Sequence, residues 1–192
     1  MLAGIAATDR AGLRPVKINA VAMRDVNEAD IVPLAQFCLS HGYELRFIEQ
    51  MPLGPAGEWQ RSRLVSADEI LAMLGAAFTL TPASAARGAA PAALWEVAPD
   101  ATQPGGTVGV IASVTRPFCG ACNRTRLTAD GQVRSCLFSQ KETDLRALLR
   151  GGGSDEALAE AWRTAQWGKP RAHGIDDEGF QPPERTMSAI GG

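Results

Sequence analysis

The clearest evidence for the fold class lies in residues 16–49, which read VKINAVAMRDVNEADIVPLAQFCLSHGYELRFIE. Two short runs, 16–22 and 44–49, are rich in strand-forming residues and flank a segment with apolar residues at helical spacing. Pro33 fits only the first turn of a helix, so we expect that helix to start at about residue 32. The strand–helix–strand order predicts βα units around a parallel sheet or barrel.

The rest of the chain alternates further elements with turn-rich segments. Ser66-x-x-Glu69 is a capping box and predicts a helix start, and residues 81–93 are rich in alanine, proline and serine, which favours a linker. Asp130-Gly131 predicts a hairpin turn. Strands are expected at 94–98 and 107–112, and helices at 141–150 and 155–167, the second capped by Ser154.

Composition narrows the class of protein. The chain has 192 residues, 45% hydrophobic and 21% charged, with a net charge of −2. This composition is typical of a globular domain and gives no general case for nucleic-acid or membrane binding. No run of about 18 apolar residues occurs, and the first ten residues lack the pattern of a signal peptide. We therefore expect a cytoplasmic protein whose four cysteines stay reduced.

The chemistry is concentrated in a cysteine loop. Cys119-x-x-Cys122 is followed by Cys136, and the predicted hairpin at Asp130-Gly131 returns Cys136 on the partner strand, beside the pair. Three ligands are one short of a closed structural zinc site but suit a [4Fe-4S] cluster with one open iron. The alternatives are a zinc knuckle completed by His173 or Cys38, or plain thiols.

Cations surround the same loop. Arg124 and Arg126 alternate in an extended segment, so both side chains can converge on one anion. Lys17 lies within a predicted strand, where an inward charge near the C-terminal end of a barrel strand is commonly functional. Cys38 reads as a buried core thiol, His41 as a helix-end residue and His173 as structural.

The chain resembles the C-terminal part of the GTP 3′,8-cyclase family, radical-SAM lyases that begin molybdenum-cofactor synthesis. The motifs that carry the resemblance are VKIN at 16–19, LRFIEQMP at 45–52, FCGACNRTRLTADG at 118–131, GKP at 168–170, HGI at 173–175 and MSAIGG at 187–192. The resemblance implies an α/β fold. Residues 1–80 would be the C-terminal portion of an incomplete parallel (β/α) barrel, and residues 81–192 a cluster- and GTP-binding extension.

One departure from the family is large. Family members hold S-adenosylmethionine on a second [4Fe-4S] cluster, bound by an N-terminal CxxxCxxC motif. Here Cys38 is the only cysteine before Cys119. The resemblance therefore implies a truncated chain that is inactive alone and whose open sheet edge makes it aggregation-prone.

The resemblance also assigns roles to individual residues. It implies that Lys17, Arg124, Thr125 and Arg126 bind GTP and that Cys119, Cys122 and Cys136 hold the C-terminal [4Fe-4S] cluster. Arg46 would contact the triphosphate and Met51 would lie against S-adenosylmethionine. Gly191 and Gly192 would enter the active site and support catalysis.

The implied reaction converts GTP to (8S)-3′,8-cyclo-7,8-dihydroguanosine 5′-triphosphate. The partners implied are GTP, a second copy in a homodimer, and the downstream cyclic pyranopterin monophosphate synthase. Two non-catalytic interpretations compete with it: a zinc-binding module, and a sulfur carrier that uses the terminal Gly191-Gly192. Iron content separates them from the enzyme.

Overall fold

A computed structural model of the chain describes residues 1–53 and 59–190. Its contacts divide the chain into two compact units. The first unit comprises Met1–Gln50 and Arg61–Phe118, and the second comprises Met51–Gln60 and Cys119–Gly192. The sequence predicts a domain boundary between residues 80 and 81, which falls inside the first unit. The division of the chain into two family domains at this position stays a prediction.

A mixed five-stranded sheet forms the frame of the first unit. Its order is β1-β2-β5-β4-β3, in which β1, β2 and β5 are parallel while β4 is antiparallel to both β5 and β3. The strands are β1 (Lys17–Ala22), β2 (Glu44–Glu49), β3 (Leu80–Pro82), β4 (Ala93–Val97) and β5 (Gly106–Ile111). The fold class is therefore mixed α/β with a parallel portion.

Two helices cover one face of this sheet and supply its core. Besides α1 (Leu2–Arg10), the unit contains α2 (Ile31–Ser40) and α3 (Ala67–Ala77), which pack on each other and on β5. In β2, buried and partly exposed residues alternate, which is the pattern of a strand covered on one face. The buried apolar cluster includes Ile31, Ala35, Cys38, Leu39, Leu45, Phe47, Val65, Ile70, Leu74, Val108 and Val110.

A buried carboxylate joins three parts of this unit. Glu49 ends β2 and is fully buried. Its carboxylate accepts hydrogen bonds from the backbone N–H groups of Ala67 (2.7 Å), Val114 (2.7 Å) and Thr115 (2.8 Å), and from the Thr115 hydroxyl. Ala67 opens α3, where the helix dipole favours a negative charge. Glu49 therefore ties β2 to α3 and to the segment after β5.

The second unit is built from short elements. Its strands are β6 (Arg126–Leu127), β7 (Gln132–Arg134) and β8 (Thr143–Asp144), which form one antiparallel sheet. Helices α4 (Leu145–Arg150) and α5 (Asp155–Trp167) pack on each other and on β7. Arg185 forms ion pairs with Asp130 (2.8 Å) and Glu142 (2.8 Å). The segment around Arg185 is therefore bound to the hairpin.

Several elements confirm the sequence prediction. The strand 44–49, the capping box of Ser66 and Glu69, and the Ser154-capped helix 155–167 occur as expected. Helix α2 begins at Ile31, after a 3₁₀ turn over Glu28–Asp30, and places Pro33 in its first turn.

Two predicted segments need correction. The expected linker 81–93 is wrong at its start, because Leu80–Pro82 pairs as β3 with β4. The expected helix 141–150 begins only at Leu145, since Thr143 pairs with Val133 in the sheet. Asp144 then caps α4 by accepting the N–H of Ala147 at 2.8 Å. None of the helices in the described ranges is both long and apolar enough to cross a membrane.

Candidate functional site

The cysteine loop starts with a tight turn. Cys119–Ala121 forms a 3₁₀ turn in which the N–H of Cys122 donates to the carbonyl of Cys119 at 3.1 Å. This turn reverses the backbone between the two cysteines of the CxxC pair. Cys119, Cys122 and Cys136 are free thiols and partly buried.

The predicted hairpin follows this turn. Gly131 adopts φ +82° and its N–H donates to the carbonyl of Thr128 at 2.9 Å. A Cβ at Gly131 would lie 2.6 Å from the Cβ of Arg146, so glycine is required here for space as well as conformation. Cys136 lies two residues beyond the end of β7. The expectation that it sits on the strand is corrected, because strand pairing ends at Arg134.

The three thiols influence one another electrostatically. Burial raises the pKa of Cys119, the backbone N–H of His173 opposes this, and the thiols of Cys136 and Cys122 raise it further. Burial also raises the pKa of Cys122, but hydrogen bonds from the backbone and guanidinium of Arg124 and from Lys169 outweigh it and lower that pKa to about 7. The donor chemistry therefore suits a thiolate-bound metal centre.

The arrangement itself is not a formed metal cage. Over residues 1–53 and 59–190, no three His, Cys, Asp or Glu side chains are grouped closely enough to hold a metal ion. Iron–sulfur clusters are usually bound by cysteine thiolates. The three thiols, which influence one another electrostatically and have cations nearby, are ligands of this type. The cluster on Cys119, Cys122 and Cys136 accordingly remains a proposal.

Guanidinium groups lie beside the thiols. Arg124 donates to the Cys122 sulfur at 3.2 Å. Burial lowers the pKa of Arg126, as do the charges of Arg124 and Arg134, whereas the thiols of Cys136 and Cys122 raise it. Like charges in one partly buried place repel one another, and this repulsion is relieved when an anion binds between them.

Two residues that the sequence reasoning did not assign hold the arginine segment. Lys169 Nζ donates to the carbonyl of Arg124 at 2.7 Å, and the Thr125 hydroxyl donates to Gln166 Oε1. The motif at 168–170 had marked Lys169 as part of a resemblance but gave it no role. Gln166, in the last turn of a helix, carried no signal at all.

The remaining predicted phosphate ligands lie in the first unit. Lys17 Nζ is 3.7 Å from Glu44 Oε2, and Arg46 Nε donates to Glu44 Oε1 at 2.9 Å. All three side chains lie on the sheet face opposite the buried residues of β2. Lys17 lies at the N-terminal end of its strand and not near the C-terminal end as expected, because pairing of β1 with β2 begins at Lys17. Its role toward GTP stays a prediction.

Other expectations have mixed outcomes. Met51 is half-buried and its carbonyl accepts the N–H of Leu53 at 2.8 Å, while Gly191 and Gly192 lie outside the described residues. Cys38 is fully buried, and burial raises its pKa to about 11, as expected for a core thiol. His41 ends α2, as predicted. His173 packs on Phe138, with ring centroids 5.2 Å apart.

These features define a mixed α/β protein with a thiol- and guanidinium-lined loop suited to metal and anion binding. The chain belongs to the Molybdenum Cofactor Synthesis C family, whose model matches residues 43–175. It is 61% identical to a GTP 3′,8-cyclase of Corynebacterium glutamicum, over all of this chain and 51% of the relative.

Two further relatives show the same pattern of coverage. A GTP 3′,8-cyclase of Mycolicibacterium smegmatis is 58% identical, and GTP 3′,8-cyclase 2 of Mycobacterium tuberculosis is 56% identical. Each alignment covers all of this chain and 53% of the relative. The chain thus spans about half the length of the curated relatives it matches.

Proposed function

We propose that this chain forms the C-terminal, substrate-binding part of a GTP 3′,8-cyclase. The observation that supports this most strongly is the cluster of thiols and guanidinium groups in the second unit, in a chain that is 61% identical to a protein of that name. In this proposal residues 1–80 are part of an incomplete (β/α) barrel and residues 81–192 are the iron–sulfur extension.

The proposed metal centre has a limited and specific task. Cys119, Cys122 and Cys136 would hold a [4Fe-4S] cluster, which would supply one iron with an open coordination position for the substrate. The chain's own cations then bind the phosphates. Arg124 and Arg126 offer planar donors to phosphate oxygens, and binding an anion there offsets their mutual repulsion.

The first unit supplies the other cations of the proposal. Glu44 pairs with both Lys17 and Arg46, so it keeps two positive side chains together on one sheet face. A triphosphate oxygen would compete with this carboxylate for both cations.

Partners and the remaining cofactors follow the same proposal. The complete enzyme would use S-adenosylmethionine, contacted by Met51, on a second [4Fe-4S] cluster. It would act as a homodimer, pass its product to cyclic pyranopterin monophosphate synthase, and use Gly191 and Gly192 in catalysis.

The test is an activity assay with a complementation arm. A polypeptide of these 192 residues, reconstituted anaerobically with iron and sulfide, is incubated with GTP, S-adenosylmethionine and dithionite. We expect no 5′-deoxyadenosine from it alone, and formation of both 5′-deoxyadenosine and cyclised GTP when the N-terminal half of the Corynebacterium glutamicum relative is added. Failure of that addition, with both parts folded and cluster-loaded, would contradict the proposal.

A further inference from the structure

The C-terminal end of α5 presents two polar side chains from one short stretch. The N–H of Gly168 donates to the carbonyl of Thr164 at 3.0 Å, and that of Lys169 to the carbonyl of Gln166 at 3.2 Å. These bonds satisfy the helix end and fix the backbone up to Lys169. Gln166 lies in the last turn of α5 and Lys169 lies two residues beyond its end, so one short stretch carries both side chains.

Both side chains bind the same short segment of the cysteine loop. Lys169 Nζ donates to the carbonyl of Arg124 at 2.7 Å, and Gln166 Oε1 accepts the hydroxyl of Thr125. Residues 122–125 belong to no helix or strand. Because no strand ladder holds Arg124 and Thr125, these two bonds from α5 supply restraint that regular structure does not.

Arg126 is fixed in a different way. It opens β6 and is paired with Arg134 of β7. The backbone of the Arg124–Arg126 segment is therefore held at one end by the strand pairing of Arg126 and at the other by the end of α5, while the Arg124 guanidinium also donates to the Cys122 sulfur at 3.2 Å. Arg124 and Arg126 are separated by one residue and carry like charges, which repel when the two guanidinium groups approach each other.

We propose that Gln166 and Lys169 are positioning residues that hold Arg124 and Arg126 at the spacing a phosphate group requires. This inference rests on the proposed function, because it takes the anion to be part of a nucleoside triphosphate. Gln166 acts through the Thr125 hydroxyl. Lys169 acts through the Arg124 carbonyl and also hydrogen-bonds to the Cys122 thiol, and neither residue is assigned a contact with phosphate. A preorganised pair of guanidinium groups binds tighter than a mobile pair, because less ordering is lost on binding.

The experiment measures binding of inorganic tripolyphosphate to the 192-residue chain by titration calorimetry. Gln166→Leu removes the bond to Thr125 without changing any charge, and Lys169→Met removes the bond to Arg124. We expect each to weaken binding about five- to tenfold, the scale of one lost hydrogen bond. Lys169→Arg keeps a hydrogen-bond donor and the positive charge, so its affinity for tripolyphosphate should stay within about twofold of that of the unmodified chain.

Two controls separate positioning from general effects. Arg163 lies on the same helix, is exposed and pairs with Glu160 at 2.9 Å, so Arg163→Gln removes a positive charge from α5 without touching the arginine segment. It should bind like the unmodified chain. Melting temperatures show whether a loss of affinity merely follows a loss of fold, and amide hydrogen exchange over residues 122–126 should quicken in Gln166→Leu.

The possible results separate the positioning role of Gln166 and Lys169 from the existence of the anion site. Weaker binding by Gln166→Leu with an unchanged melting temperature, together with rescue by Lys169→Arg, supports the inference. Unchanged affinity in Gln166→Leu and Lys169→Met, while Arg124→Ala binds weakly, overturns the inference and leaves the proposed anion site intact. Affinity losses matched by equal losses of melting temperature overturn the positioning role. If the unmodified chain binds no tripolyphosphate, the proposed anion site fails and the inference fails with it.

Discussion

The carboxylate of Glu49 in the first unit and the thiols of the cysteine loop in the second are surrounded by hydrogen-bond donors of different kinds. Glu49 is fully buried and accepts three backbone N–H groups, each fixed by the fold around β2, α3 and the segment after β5. The Cys122 thiol is only partly buried, and both of the side chains that hydrogen-bond to it, from Arg124 and Lys169, are cationic.

The difference shows which region is structural and which is suited to binding. Donors fixed in the main chain satisfy a charge completely and leave nothing for a ligand to add. In the cysteine loop the guanidinium groups repel one another, and a bound anion would reduce this repulsion. Natural proteins tolerate such unfavourable interactions mainly at functional sites.

The largest expected effect concerns thiol reactivity in the metal-free chain. The pKa is about 7 for Cys122 and about 11 for Cys38. Because only the thiolate reacts and Cys38 is also fully buried, Cys122 should be alkylated by iodoacetamide at neutral pH about a hundred times faster than Cys38, or more. Peptide mass spectrometry over time gives both rates. In denaturing guanidinium chloride the two rates should converge, and similar rates in the folded chain would contradict the contrast.

The next effect is on stability and concerns Glu49. In Glu49→Gln, the amide NH₂ would face backbone N–H donors that now meet a carboxylate oxygen. We expect the free energy of unfolding to fall by about 3 kcal/mol, the scale of a broken buried polar network. Urea denaturation measures it. Glu96→Gln makes the same chemical change at an exposed position of β4 and should have almost no effect. If Glu49→Gln lowers the free energy of unfolding as little as Glu96→Gln does, Glu49 does not stabilise the fold.

A comparable or smaller effect is expected on substrate binding. Arg124→Ala should weaken GTP binding by the cluster-loaded chain by ~1–3 kcal/mol, the contribution of a charge-assisted hydrogen bond. Arg150→Ala removes a charge of the same sign from an exposed position at the end of α4 and serves as the control. Equal GTP affinity for both variants in a titration would exclude Arg124 from the site.

The smallest effect is a pH dependence at the hairpin. The hydrogen bond from Arg185, followed by that from Thr128, lowers the pKa of Asp130 to about 2. A carboxyl whose pKa is depressed on folding stabilises the protein above its unfolded pKa of about 4, and this contribution is lost as the pH falls through about 2. The melting temperatures of the unmodified chain and of Asp130→Asn should therefore converge over this range. A constant difference would show that the carboxylate charge does not matter.

Local patterns explain what the sequence predicted well. The alternation in β2 and the pairing of Ser66 with Glu69 are set by neighbours within a few residues, so both are legible in the sequence. The same is true of Ser154, which caps α5. The thiol and arginine positions were found because CxxC spacing and alternating arginines are also short-range patterns.

Contacts between distant residues explain what it missed. Glu49 bonds to Val114, 65 positions away, and Lys169 to Arg124, 45 positions away. Such bonds leave no periodic trace, since each joins a side chain to the main chain of a remote segment. The position of Lys17 was misjudged for a related reason: an apolar run indicates a strand, but only its pairing partner sets where that strand begins.

The metal content of the chain shows whether the cysteine loop holds an iron–sulfur cluster. After anaerobic reconstitution we expect about four irons and four acid-labile sulfides per chain, as a [4Fe-4S] cluster requires. Cys136→Ser should lose most of this iron, whereas Cys38→Ser, at a fully buried position in the first unit, should keep it. Stoichiometric zinc without labile sulfide, or iron that is unaffected by Cys136→Ser, would contradict the account.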